Sequence, residues 1–239
     1  MNYPQLIIDS FPLVVNSFID KELAYLSLTS KPERPIQDRY ALFLNNNNKS
    51  NKDKLFIKEY KRRDIVAFNL TDGLKTKQNS HIEHVIEFKA GSASSFSKNS
   101  RTGNFLKKGN EFIKRVASDI KHRKRQDTTY AETLDISFDK LTCAFIGVEV
   151  LDQIPDFGVD LFQYAERHNR HLNNFRKLDL RNCMIKQFEE YSAGLDTKAF
   201  KNPIKHVSKD VGSFRKIRVK LHLVVVQGNP EFPFEKISE

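Results

Sequence analysis

Two short runs fix most of what this chain can become. Asp64–Leu70 reads DIVAFNL, and Ile82–Ala90 reads IEHVIEFKA. Both are rich in β-branched and aromatic residues, the types that suit a pleated, half-buried surface. The segment between them, TDGLKTKQNSH, is polar and contains Asp72-Gly73, so the pair predicts an antiparallel hairpin. Side chains alternate faces along a strand, which puts Asp64, Val66 and Phe68 on one face and Glu87 with Lys89 on one face of the partner. Apart from these charges the runs are apolar. An ionised group on such a strand is costly to bury unpaired, so something must compensate it.

The remaining chain supplies elements for a mixed sheet flanked by helices. Phe11 to Leu28 carries Val14, Val15, Phe18, Ile19, Leu23 and Leu26 at helical spacing. A second helix is expected after Pro35, with Ile36, Tyr40, Leu42, Phe43 and Leu44 as its apolar positions. Leu55–Tyr60 predicts a strand ahead of the hairpin, and Leu141–Leu151 and Ile217–Gln227 predict two more after it. A basic helix is expected from about Asn104 to Arg125, and a long helical region from about Asp160 to Tyr191. The order is α–β–β–β–α–β–α–β, an α/β chain. At 239 residues, with 19 Phe to fill a core, a single domain is the expectation.

Two carboxylates meeting at a sheet end make a hard-oxygen site suited to Mg2+ or Mn2+. Such a metal polarises a phosphoryl oxygen, and a lysine beside it orients water or stabilises charge growing on phosphorus. The backbone carbonyl of Phe88, between Glu87 and Lys89, is a further candidate ligand. The pattern Arg63-Asp64-Ile-Val-Ala-Phe, a hairpin, then Val85-Ile86-Glu87-Phe88-Lys89 resembles the PD-(D/E)XK nuclease superfamily. That resemblance implies a restriction-endonuclease-like core of α-β-β-β-α-β order over about residues 33–151, with 152–239 as a C-terminal elaboration. It also implies metal binding by Asp64 and Glu87, and assistance to phosphodiester hydrolysis by Lys89. The family's preceding helix often adds a Glu. Glu33 and Glu22 are both candidates, and Glu33 is preferred because its helix leads directly into the strands. Arg63 stands where the family name has Pro, a position at which the family commonly departs.

The bare acid-x-Lys tripeptide is weak evidence, since Glu59-Tyr60-Lys61, Asp119-Ile120-Lys121 and Asp196-Thr197-Lys198 match it too. Asp119 falls on the basic helix and Asp196 in a polar stretch. Glu59 lies on a strand but lacks an Asp-led strand upstream. The plain alternative for Asp64, Glu87 and Lys89 is a salt-bridge cluster on a hairpin.

Charge bears on partners. The chain has 40 Lys plus Arg against 30 Asp plus Glu, a net +10 that favours a polyanion. Lys107, Lys108, Lys114, Arg115, Lys121 and Arg123 concentrate that charge just after Lys89, and predict a track for phosphates. The same residues also suit a solvated amphipathic helix. His168 and His171 share a helix face near Glu166, but a zinc site would need further ligands. No Walker loop, GxGxxG or serine-nucleophile elbow is found. Two cysteines outside any C-x-x-C pair suit a reduced compartment, and no apolar run approaches the roughly 18 residues that span a bilayer. The N-terminus carries no secretory pattern.

The expectation is therefore a cytoplasmic endonuclease that needs Mg2+ or Mn2+ and acts on DNA in restriction, phage defence, recombination or repair. Asp64, Glu87, Lys89 and Glu33 would form its site. A homodimer or a partner subunit remains open, and no membrane is involved. The rival expectation is a catalytically silent nucleic-acid-binding or interaction subunit on the same fold.

Overall fold

Asn2 starts the first helix by accepting the Gln5 N–H on its side chain (3.1 Å). The helix α1 runs over Tyr3–Asn16 and buries Tyr3, Ile7, Phe11, Val14 and Val15 along one stripe. The sequence predicts one helix through Leu28, and the structure corrects this. Ser17 and Phe18 tighten the last turn with bonds to Val14 and Val15, and Asp20 takes a φ of 41°, which a right-handed helix cannot contain. Phe18 still enters the same core (8% exposed), so its apolar spacing hides the break. The chain resumes as α2, Glu22–Thr29.

The third helix, α3, covers Glu33–Asn47, so it begins two residues before Pro35. Its buried face is Ile36, Gln37, Tyr40, Ala41 and Leu44. Leu42, expected on that face, is 53% exposed. Asn45 holds α3 to the sheet: its side chain donates to the Phe56 carbonyl (2.8 Å) and accepts the Phe56 N–H (3.0 Å). Asp38 pairs with Lys58 on the same strand.

The computed structural model describes residues 1–47, 53–60, 63–70, 82–93, 138–155 and 200–229, with isolated positions between 162 and 186. The strands are β1 (Lys54–Tyr60), β2 (Arg63–Asn69), β3 (Ile82–Ser92), β4 (Leu141–Val150), β5 (Phe200–Phe214) and β6 (Ile217–Gly228). They form one mixed sheet in the order β1-β2-β3-β4-β6-β5. All pairs are antiparallel except β3 with β4. A parallel pair needs a crossover of a dozen or more residues, and the chain between these two strands makes that connection. The expected strands match β1, β2, β3, β4 and β6 within about two residues at each end; β5 was not anticipated. It forms an edge, while β6 lies inside the sheet beside β4.

The helices α1, α2 and α3 pack on one face of the sheet. That face presents Ile65, Ala67, Ile86, Phe88, Ala144, Ile146, Val148, Leu221, Leu223 and Val225 to the helices' apolar stripes, in one continuous core. His84 lies in it, 4% exposed, stacked on Tyr3 (centroids 4.1 Å apart) and 2.7 Å from the Thr142 hydroxyl. Among the described residues, no helix is long and apolar enough to cross a membrane.

Candidate active site

The site lies where one ladder stops and the neighbouring strand continues. The register of β2 against β3 runs Phe68↔Ile82, Ala67↔His84, Val66↔Val85 and Ile65↔Ile86, then ends. One step further puts Asp64 beside Glu87, on the face away from the three helices. Meanwhile β3 goes on to Ser92 alongside β4, with Glu87 opposite Cys143 and Lys89 opposite Phe145. Among the described residues, the part of β3 beyond Ile86 therefore has no β2 ladder on one side.

Side chains take over there. The Phe88 N–H donates to Asp64 Oδ2 (2.6 Å), and the Ala90 N–H donates to Glu33 Oε2 (2.7 Å). Both distances are short, as expected for an ionised acceptor. Glu33 reaches β3 from the first turn of α3, and its other oxygen lies 3.7 Å from Lys89 Nζ. In a strand, the N–H and C=O of one residue point to the same side. The Phe88 carbonyl is thus directed to the same side as the Phe88 N–H, past the end of β2.

Glu87 is the most enclosed carboxylate of the group, at 8% exposed. Its Oε1 lies 3.5 Å from Arg63 Nη1, and the two side chains are 10% and 8% exposed. Burial of a lone carboxylate costs several kcal/mol (roughly), which explains why a cation accompanies it. In the sequence, Arg63 stands out only as a departure from a family proline. Its adjacency to a charged residue on an apolar strand was the available signal for a counter-ion.

Cys143 sits among these charges. Burial pushes its thiol well above the usual range, the Glu87 and Asp64 carboxylates push the same way, and the Lys89 ammonium pulls against them. A buried thiol held protonated is a poor nucleophile, which argues against nucleophilic chemistry at Cys143.

The structure thus brings Asp64, Glu87, Lys89 and Glu33 to the stretch of β3 just past the β2 ladder. It leaves Glu22 elsewhere, where its carboxylate accepts the Ile19 N–H (3.2 Å) and lies 3.9 Å from Arg39. The competing acid Glu59 is exposed at the end of the edge strand beside Lys58. Lys107, Lys108, Lys114, Arg115, Lys121 and Arg123 lie outside the described residues, as do His168 and His171. Among the described residues, no group of three or more His, Cys, Asp or Glu side chains is arranged to hold a metal ion. By donor type the cluster suits a hard dication: Asp64, Glu87 and the Phe88 carbonyl offer oxygen alone. Asp64 Oδ2 accepts the Phe88 N–H, so a bound ion would share this carboxylate with the backbone of β3.

A second polar chain crosses the same face and was missed from sequence. His222 on β6 bridges Glu149 on β4 (Nε2 to Oε2, 2.8 Å) and His206 on β5 (Nδ1 to Nε2, 3.1 Å). Its members come together only through strand pairing, so no local spacing announces them. Comparisons of the chain with protein-family models, with curated proteins and with solved structures returned no match.

Proposed function

We propose that this chain is a divalent-metal-dependent endonuclease acting on DNA, with a restriction-endonuclease-like core. One observation carries the reading: Asp64, Glu87, Lys89 and Glu33, drawn from three elements, meet along β3 where the β2 ladder stops. The order α3-β1-β2-β3, then a crossover to a strand parallel with β3, supports the fold reading, since the resemblance calls for α-β-β-β-α-β.

Asp64 and Glu87 would hold the metal, Mg2+ or Mn2+, with the Phe88 carbonyl as a further oxygen donor. When bound, such an ion supplies a Lewis acid's pull on a phosphoryl oxygen. The other tasks fall to this chain's own groups. Lys89 Nζ orients the attacking water and offsets charge developing at phosphorus. Glu33 fixes the lysine, holding Ala90 N–H with one oxygen and facing the ammonium with the other. Arg63 offers Glu87 a counter-charge in its enclosed position. The basic residues from Lys107 to Arg123 would hold the DNA backbone beside the site.

A second reading has its own support. The Asp64 and Glu33 carboxylates already satisfy backbone N–H groups, which suffices to explain them as sheet-building residues in a catalytically silent DNA-binding protein.

The deciding experiment is cleavage of supercoiled plasmid, linear duplex and single-stranded DNA with Mg2+ or Mn2+, using wild type, Asp64→Ala and Lys89→Ala. Cleavage by wild type alone supports the enzyme. DNA binding by all three with no cleavage supports the silent protein, and undiminished cleavage by Asp64→Ala defeats the site assignment.

A further inference from the structure

Glu149, His222 and His206 form a polar chain separate from the candidate active site. Cys143, opposite Glu87, precedes Glu149 by six residues on β4, or about 20 Å of strand. The two groups share a face but not their chemistry. The first offers oxygen, and the second converges two imidazole nitrogens.

The protonation pattern follows from the bonds. An ionised carboxylate only accepts, so the His222 nitrogen facing Glu149, Nε2, carries a proton. In neutral His222 the lone pair is then on Nδ1, which faces His206 Nε2 at 3.1 Å. His222 is 5% exposed and enclosed between strands, so its ring is fixed in place as well as in tautomer. A metal-ligating histidine is typically oriented in this way, by a carboxylate on its outer nitrogen. The spacing fits too. Two nitrogens each about 2.0–2.1 Å from a tetrahedral ion lie about 3.3–3.4 Å apart. The rings need to part by only a few tenths of an ångström. When a cation arrives between them, His206 takes its other neutral tautomer, its proton passing by way of solvent from Nε2 to Nδ1, and ligates through Nε2.

We infer that His206 and His222 form a binding site for a borderline transition-metal dication such as Zn2+, with Glu149 as the residue that orients His222. Imidazole donors favour Zn2+ and its neighbours over Mg2+, so this site and an oxygen site on the same chain would select different ions. Ser208, paired with His222 across the strands, is exposed, so solvent reaches this end of the sheet. Water or an anion would complete the coordination shell.

The test uses the full chain and Zn2+ alone, then Zn2+ with excess Mg2+. In wild-type protein labelled with 15N, the imidazole resonances of His222 Nδ1 and His206 Nε2 should shift together and saturate with Zn2+, and Mg2+ should move neither. By calorimetry, His206→Gln and His222→Gln should each abolish that binding. Glu149→Gln, which keeps both ligands, should weaken it by about ten- to a hundred-fold. Zn2+ that leaves the two nitrogens unmoved in wild type overturns the site, whether or not the variants fold. Binding that persists unchanged in both histidine variants overturns it equally.

Discussion

The observed and the proposed role of Asp64 can be separated by a single substitution. Its carboxylate accepts the Phe88 N–H where the ladder ends, and its charge is what a dication would meet. Asp64→Asn keeps an acceptor oxygen and removes the charge. Asp64→Ala removes both and leaves a backbone donor unmet, which costs about 1–3 kcal/mol. Urea unfolding should therefore place Asp64→Asn near wild type and Asp64→Ala below it, while plasmid cleavage is lost in both. Cleavage retained by Asp64→Asn would show that the charge is not needed. His84 illustrates a different residue-scale effect. Burial holds its pKa down, at about 3 against an ordinary 6.5, with Asp139 opposing and the N-terminus and Lys140 reinforcing. The unfolded chain takes up this proton at higher pH than the native one, so stability is complete above about pH 6.5 and is lost as pH falls towards 3. The slope within that window is about 1.4 kcal/mol per pH unit from this group. His84→Gln, which still offers Thr142 a polar partner, should flatten the fall in urea midpoint between pH 7 and 5; an unchanged slope would assign it to other groups.

Among the elements, the β5–β6 hairpin turns on Arg215 and Lys216, with φ of 48° and 66°. Phe214 pairs with Ile217, so this is a two-residue turn with both central residues left-handed. Asn-Gly or Asp-Gly normally fills such positions, because other residues meet a steric cost there. Arg215 lies against the Phe214 ring (5.9 Å), whereas Lys216 is exposed. Lys216→Gly should raise stability by about 0.5–1 kcal/mol, measured by thermal or urea unfolding. A decrease would mean that this turn is not strained. The same turn explains why β5 was illegible. Arg-Lys gives no hairpin signal, and the strand carries Pro203, Gly212 and many charges, as edge strands do. Irregular register between Lys201 and Lys205, and between Asp210 and Ser213, further erases alternation. By contrast β2, β3, β4 and β6 are apolar enough on their buried positions to be read directly. The candidate site followed the same division. Asp64, Glu87 and Lys89 were legible through strand alternation, and Glu33 through its helix's place in the chain. The pairing of Arg63 with Glu87 was not, because it forms at a strand's first residue, where alternation no longer predicts the neighbour. Nor was the bond between Glu149 and His222, which lie on paired strands but 73 positions apart in sequence.

For the whole molecule, the sheet separates two kinds of surface. The face toward α1, α2 and α3 holds the apolar core, and the opposite face carries Asp64, Glu87, Lys89, Glu149, His206 and His222. In sequence, the segment between β3 and β4 begins soon after Lys89 and carries the densest basic run in a chain of net charge +10. If that run holds DNA, most of the affinity comes from counterion release, and log K falls with log salt at about 0.9 per phosphate contact. Replacing Lys107, Lys108, Lys114 and Arg115 together with Gln should reduce that slope by as much as about 3.6, and should do so for any duplex sequence. Fluorescence anisotropy from roughly 50 to 200 mM salt reads this directly. Asp64→Asn supplies the contrast, since it should abolish cleavage and leave the slope intact. An unchanged slope in the fourfold variant would place the phosphate contacts elsewhere on the chain. A reduced slope with cleavage lost alongside it would tie the basic run to the reaction, because an enzyme that cannot hold the backbone cannot present phosphorus to Lys89.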